Sequence, residues 1–477
     1  MANRLRVTAL ISLAMVNVFT LGAGVAVAGL LPARLALWDI PRVAAAPLVA
    51  PGQVLRPAQP SGTLPTSDGL ATALTPMLAS RALGAHVGAV VTDPASGAVL
   101  FTSGGTSPAE PASTAKLATA VAALAVLGPA ARFTTRVAAG PTAGSIVLVG
   151  GGDPTLAAGS PPGSDYPQPA TLASLAAATA RSLRGQGRSH VRLSYDTSLF
   201  SGPLMAPGWT NDYIATGNVT PITSLEVDQG RLTASGTSED ADDPANFRPR
   251  SADPTAVAAE AFASFLRADG ISLSGPPARG SAPPDAATIA AVSSPPLSAI
   301  VGWMLRESNN VIAEDLARQV ALHTGAAASF SGAAAAVSHV LRGLGIPSGI
   351  DLVDGSGLSP GDRITPAALT SLVAVASGAG QARLRPAVTG MPVAGFSGTL
   401  APAQSVFGRF TGPALGAVRA KTGNLDTVAT MAGLAYDRQG QVLAFAFMAD
   451  RVPPGGLAAA AAQIDAMATV LANCGCR

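Results

Sequence analysis

Lysine is almost missing from this chain: of 30 basic residues, two are lysine and the other 28 are arginine. Arginine stays protonated and cannot act as a base, whereas a desolvated lysine can lose its proton. A chain that keeps lysine at two positions only, Lys116 and Lys421, is expected to use both amines chemically. Cysteine is as scarce. Cys474 and Cys476 stand at the extreme C-terminus, so the core is expected to fold without disulfides. A Cys-x-Cys bridge closes a very small ring, and the pair reads as a frayed tail with no catalytic role. The four histidines are scattered, which excludes metal-ligand spacing and leaves no competing histidine-based triad. Charged residues make up 12% of the chain, net charge is +2, and no basic run marks a nucleic-acid partner. Aromatics are 4%, against 48% hydrophobic residues dominated by small side chains. No nucleotide-binding glycine loop or internal repeat is present, and no cofactor is expected.

What the chain does carry begins with an N-terminal signal. Arg4 and Arg6 precede an apolar stretch, Val7 to Leu31, followed by Pro32. The stretch is long enough to span a membrane and also contains Ala26-Val27-Ala28, a small-residue cleavage site. It reads as an uncleaved anchor or a cleaved signal; in both cases the remainder is exported. Residues 32–69 are Pro/Ala-rich and read as a semi-rigid linker.

Beyond the linker, periodicity and turn chemistry give helices near Leu70–Arg81, Leu172–Leu183 and Pro254–Gly270. A hairpin is expected from His86–Asp93 and Gly97–Ser103. Further strands are expected at Ser145–Val149, His190–Tyr195 and Ser224–Val227. The acidic stretch Ser238–Asp253 reads as a loop. A helical series follows at Leu297–Glu307, Asn310–His323 and Phe330–Leu344. Three antiparallel strands, Val418–Lys421, Thr427–Tyr436 and Gln441–Asp450, precede a last helix, Gly456–Ala472. Strands at both ends with helices between suggest an α/β core whose sheet combines N- and C-terminal strands.

Three short motifs carry chemistry. Ser113 and Lys116 lie at i and i+3 at the start of an Ala/Leu helix that ends at Gly128-Pro129, so they share a face. A partly buried Lys116 can take the proton of Ser113 as it attacks a carbonyl, and the helix N-terminus favours a developing oxyanion. Ser308-Asn309-Asn310 falls between two helices. Ser308 can bridge the two lysines and relay a proton, and the Asn310 amide can hold a substrate carbonyl. Lys421-Thr422-Gly423 falls at the end of a strand. Thr422 and Lys421 can bind a carboxylate, Gly423 admits close backbone approach, and the Asn424 and Ser113 amides can form an oxyanion hole. Each motif alone is commonplace capping or turn sequence. Together, in the order S-x-x-K, S-x-N, K-T-G and holding every lysine, they form a catalytic set.

The set resembles the penicillin-recognising serine enzymes, and more narrowly the class C low-molecular-mass penicillin-binding proteins, the D-alanyl-D-alanine carboxypeptidase/endopeptidase family (S13). Pro111-Ala112-Ser113-Thr114-Ala115-Lys116-Leu117 is similar to its nucleophile segment. Gly151-Gly152-Asp153-Pro154, Pro207-Gly208-Trp209, Asp354-Gly355-Ser356-Gly357-Leu358-Ser359 and Gly398-Thr399-Leu400 extend the likeness over about residues 70–470. The resemblance implies an α/β fold with a β-lactamase/transpeptidase-like core, formed by residues 70–130 and 295–477, and an inserted β-rich accessory domain at 131–294. The 195 positions between Ser113 and Ser308 leave room for that insertion. It implies a serine hydrolase that trims or de-crosslinks peptidoglycan stem peptides, is acylated by β-lactams at Ser113 and needs no metal. It also places Asp354 and Ser356 beside the cleft, where the bare sequence reads as an Asx turn. Asn424 after Lys-Thr-Gly and Pro360-Gly361-Asp362 depart from the family pattern. A β-lactamase and a non-catalytic wall-binding protein are the alternatives.

Overall fold

The computed structural model describes residues 63–159, 168–232, 248–402 and 405–476. The N-terminal segment 1–31, most of the linker and much of the acidic stretch Ser238–Asp253 lie outside them.

One antiparallel sheet joins the two ends of the chain. β1 (Val87–Thr92) and β2 (Val99–Ser103) form the expected hairpin. β11 (Val418–Leu425), β12 (Val428–Tyr436) and β13 (Val442–Ala449) form the C-terminal meander. The strand order is β11-β12-β13-β1-β2, with Val87 opposite Ala449 and Thr92 opposite Ala444. β13 shows why its sequence is an unbroken apolar run: both faces are covered. Ala444, Ala446 and Met448 face one core, while Leu443, Phe445, Phe447 and Ala449 face another. The first face shares a core with α2 (Lys116–Leu127); the larger residues on the second share one with α1 (Ser67–Leu78) and α9 (Leu457–Asn473).

A second sheet runs β6 (Ser272–Leu273), β5 (His190–Asp196), β4 (Ser145–Val149), β3 (Thr134–Ala139), β8 (Thr288–Ser293), with β7 (Ala278–Arg279) beside β5. Its buried face, including Val137, Ile146, Leu148 and Leu193, packs on α3 (Leu172–Gly185) and α4 (Pro254–Ala268) through Leu175, Phe262 and Leu266.

Between the sheets' segments come α5 (Leu297–Arg306), α6 (Asn310–His323), α7 (Phe330–Gly343) and α8 (Pro366–Ser377). α2 has no polar face: Lys116 through Leu124 are all buried, as befits a central helix. Gly128, at φ +82°, ends it. The ribbon of β9 (Ile350–Asp351) and β10 (Arg363–Ile364) closes the turn that carries Asp354 and Ser356.

Four local expectations are corrected. Ser224–Val227 is not a strand: Leu225 and Val227 are buried, but Ser224 O accepts from Gly152 N across a loop contact, and left-handed Asp228 and Gln229 follow at once. Lys421-Thr422-Gly423 lies within β11, not at its end. α8 was signalled by the Thr365 cap and Pro366 at the first turn, and was not anticipated. The C-terminal tail is docked: Cys474 is buried and disulfide-bonded to Cys476, whose carbonyl accepts from Thr66 N at 2.9 Å.

Candidate active site

The nucleophile segment enters its helix through strain. Ala112 has φ +46°, a left-handed conformation for a residue with a side chain, and a 3₁₀ turn, Ala112–Ala115, precedes α2. The turn is clamped from two sides. Thr430 Oγ1 on β12 donates to Pro111 O at 2.7 Å. Gly423 on β11 lies so close that a Cβ there would be 2.7 Å from Pro111 O and 2.9 Å from Ser113 N. Gly357 is tighter still, with a Cβ position 1.8 Å from Ala112 O. Strained backbone of this kind persists only where surroundings over-determine it.

Lys116 is fully buried. Its Nζ donates to Ser113 Oγ at 2.8 Å, Asn310 Oδ1 at 2.7 Å and Ser356 O at 2.8 Å. Burial pulls its pKa down to about 7, against the opposing pull of Asp354, Glu314 and Asp362. Lys421 is equally buried, and burial followed by repulsion from Lys116 puts its pKa well below the ordinary lysine value. Its Nζ donates to Ser308 Oγ at 2.9 Å and Thr422 O at 2.6 Å. Ser308 itself is left-handed, φ +55°, which swings its hydroxyl out between α5 and the Asn309 cap of α6.

Asn310 begins α6, and both ends of its amide are engaged: Oδ1 accepts from Lys116, and Nδ2 donates to Asn218 O at 2.9 Å. The second N–H of Asn310 Nδ2 remains for the substrate carbonyl expected of it from sequence, and Asn310 lines the cleft. Ser308 contacts Lys421 and makes no recorded hydrogen bond to Lys116, so the expected bridge between the two amines is open on one side. Thr422 Oγ1 meets Thr399 Oγ1 at 2.6 Å, which brings the Gly398-Thr399 segment into the site.

Asp354 makes both readings of its motif true at once. Its Oδ1 accepts from Ser356 N and Gly357 N at 2.9 and 2.7 Å, an Asx turn, while the Ser356 carbonyl of the same turn reaches Lys116. Its Oδ2 accepts from Trp209 Nε1 at 2.8 Å and Ser359 N at 2.7 Å. Burial and the neighbouring Asp354 push Asp362 up to about 10, so it is the protonated member of the pair. Asp153 is engaged within its own turn, its Oδ1 accepting from Thr155 N and Oγ1.

The site opens into a cleft of about 260 Å³ lined by Ser113, Ser308, Asn310, Thr399, Thr422 and Asn424, among others. Sequence reasoning did not single out Thr119, Thr430, Asn218 or Glu314, and none lies in a motif whose spacing marks it; Thr399 it reached only as part of the Gly398-Thr399-Leu400 likeness. It also missed a serine–histidine–aspartate chain outside the cleft lining. His86 Nδ1 is 2.5 Å from Asp450 Oδ1, and His86 Nε2 is 2.8 Å from Ser107 Oγ. His86 and Asp450 are 364 positions apart, so no local pattern could reveal them. Among the described residues, no three metal-ligating side chains cluster.

A serine and a buried lysine at a helix start, against the edge strand of a five-stranded antiparallel sheet, define a serine acyl-transfer enzyme with a β-lactamase/transpeptidase-like core. Comparison with known proteins narrows this. Residues 70–249 and 240–474 match the model of the D-Ala-D-Ala carboxypeptidase 3 (S13) family, and the chain belongs to that family. It is 41% identical over 434 residues to carboxypeptidase DacB of Mycolicibacterium smegmatis, covering 89% of this chain and 88% of the relative. It is 38% identical over 435 residues to a carboxypeptidase of Mycobacterium tuberculosis, covering 90% and 89%. The crystal structure of penicillin binding protein 4 from Haemophilus influenzae shares the fold, with a TM-score of 0.67 at 22% identity, covering 84% of this chain and 99% of that one.

Proposed function

We propose that the chain is a serine-type D-alanyl-D-alanine carboxypeptidase/endopeptidase that cleaves peptidoglycan stem peptides through an acyl-enzyme on Ser113. Family membership and the names of its relatives support the activity. The observation that carries the residue assignment is the 2.8 Å contact between Ser113 Oγ and a fully buried Lys116 whose pKa is lowered to about 7. Such an amine is neutral in a substantial fraction near pH 7 and can accept the serine proton.

Ser113 Oγ attacks the carbonyl carbon of the penultimate D-alanine as its proton passes to Lys116. The amides of Ser113 and Asn424 receive the oxyanion. Ser308, hydrogen-bonded to Lys421, lies between the cleft and that amine and returns a proton to the leaving amino group. Thr422, with Thr399 against it, and Lys421 hold the terminal carboxylate. Asn310 holds the base through Oδ1, and its second Nδ2–H can hold a substrate carbonyl. Water then hydrolyses the ester, and β-lactams acylate Ser113 in the same way. The test is a fluorescent penicillin with the wild type beside Ser113→Ala, followed by D-alanine release from a pentapeptide. A stable label lost in the variant supports the reading. Rapid turnover without a stable label indicates a β-lactamase, and a folded protein with neither indicates a non-catalytic wall-binding role.

The same reading places the enzyme outside the cytoplasmic membrane, exported and, if the N-terminal segment is retained, anchored by it. The support is Arg4 and Arg6 ahead of the Val7–Leu31 apolar stretch. Protease accessibility of the catalytic region in spheroplasts of an expressing host tests this: protection would overturn it.

A further inference from the structure

The Gly355–Ser356 segment is held from three directions. On α2, Thr119 follows Lys116 by three residues, and its Oγ1 donates to Gly355 O at 2.6 Å. On α6, Glu314 follows Asn310 by four residues, and both its oxygens accept from Gly355 N at 3.0 Å. Asp354 Oδ1 takes Ser356 N at 2.9 Å. What remains is the Ser356 carbonyl, which accepts from Lys116 Nζ at 2.8 Å. The two helices that supply Lys116 and Asn310 thus also supply, one turn further along, the side chains that grip this peptide.

The geometry has a chemical consequence. A neutral amine has two N–H groups and one lone pair. Of the three neighbours of Lys116 Nζ, Asn310 Oδ1 and the Ser356 carbonyl can only accept. Each takes one N–H, and the lone pair then faces Ser113 Oγ. If the Ser356 carbonyl moves, the amine is free to rotate and the lone pair leaves the serine.

We propose that Thr119 and Glu314 are positioning residues: they fix the Gly355–Ser356 peptide so that the Ser356 carbonyl holds the Lys116 amine with its lone pair on Ser113. The inference rests on the roles given above to Ser113 and Lys116. The titratable groups around Lys116 are Asp354 and the protonated Asp362 from the turn, Glu314 from α6, which burial raises, and Lys421 from β11.

The experiment measures acylation of the full-length chain by fluorescent penicillin against concentration, for wild type, Thr119→Val, Thr119→Ser, Glu314→Leu and Glu314→Gln. Thr119→Val keeps the shape and removes the donor. Its acylation rate constant at saturation is expected to fall about tenfold, with half-saturation within about twofold of wild type, because only orientation is lost. Thr119→Ser restores the donor and is expected to recover most of the rate. Burial and the neighbouring Asp354 push Glu314 up to about 8, so at acid to neutral pH it grips Gly355 N as a largely neutral acid. Glu314→Leu removes that acceptor and is expected to lower the saturating rate about tenfold with half-saturation within about twofold, and Glu314→Gln, which restores a neutral acceptor, is expected to recover most of the rate. Wild-type rates in Thr119→Val or Glu314→Leu, or no recovery in Thr119→Ser or Glu314→Gln, overturns the proposal. If one of the two disruptive variants does not fold, the other pair decides alone. Failure of the functional reading itself looks different: the wild type takes no label at Ser113.

Discussion

Ser113 beside Lys116 and Ser107 beside His86 each lie 2.8 Å from a basic nitrogen. The second pair even has an aspartate behind it, Asp450, in the order of a catalytic triad. Distance does not separate them; their surroundings do. Ser113 opens a helix, where first-turn amides lack intrahelical partners and point at an incoming oxyanion. It lines the cleft, and Lys116 beside it is fully buried. The Ser107 amide is already donated to Gly104 O at 3.1 Å, and His86 is partly exposed. Asp450 also accepts from Glu110 N at 2.9 Å. The histidine chain therefore ties down the loop from Gly104 to Glu110 that leads into Ser113. On the proposed reading, one pair has the surroundings of a reacting pair and the other those of a tie that holds it in place.

The largest effect that would sharpen the contrast is at the nucleophile. Ser113→Ala should abolish covalent penicillin labelling and lower D-alanine release by about 10⁴-fold or more, read by gel fluorescence and by amino-acid release. Persistent labelling would hand the reaction to another serine, with Ser107 the first to examine. Lys116→Arg should cost about 10³-fold in acylation, because arginine keeps a cation in the site and cannot take the proton. Near-normal acylation in that variant would show that Lys116 is not the base.

The next prediction is electrostatic. Burial lowers the Lys116 pKa, so the amine is protonated below about pH 7 and neutral above it. Acylation at fixed penicillin should rise through about pH 7 and fall about tenfold per unit on the acid side. A flat profile from pH 5 to 8 would remove Lys116 from the proton transfer. For Gly357→Ala, the new Cβ would sit 1.8 Å from Ala112 O in a residue at φ +81°. A loss of about 2–4 kcal/mol in stability is expected, with slower acylation in whatever folds. Unchanged melting and acylation would show that the nucleophile turn is not clamped there.

The contrast also shows what a sequence can and cannot reveal. Ser113, Lys116, Ser308, Asn310 and Lys421 were legible because short spacings on helices and strands fix which side chains meet, and because lysine survives nowhere else. The sheet joining both ends of the chain was legible from two-residue periodicity and turn chemistry. Engagement was not. That the Asn310 amide reaches Asn218 as well as Lys116 depends on a loop 92 residues upstream. Thr119 and Glu314 look like ordinary residues of α2 and α6 until the Gly355 peptide is laid between them. The histidine chain joins the start of β1 to the end of β13, and only the pairing of those strands brings its members together.

The smallest predicted effect is the one most specific to the comparison. If the Ser107–His86–Asp450 chain only holds the loop, Ser107→Ala removes one partly exposed hydrogen bond, costing about 1 kcal/mol of stability. Acylation of Ser113 should then stay within about threefold of wild type, because Asp450 still holds Glu110 N and Thr430 still holds Pro111 O. Asp450→Asn is the more informative partner. It keeps an oxygen for Glu110 N and weakens the tie to His86, so its acylation should match that of Ser107→Ala rather than fall further. A drop of a hundredfold or more in either variant, with melting unchanged, would mean that the chain takes part in the chemistry. The distinction drawn here between a reacting pair and a holding pair would then fail.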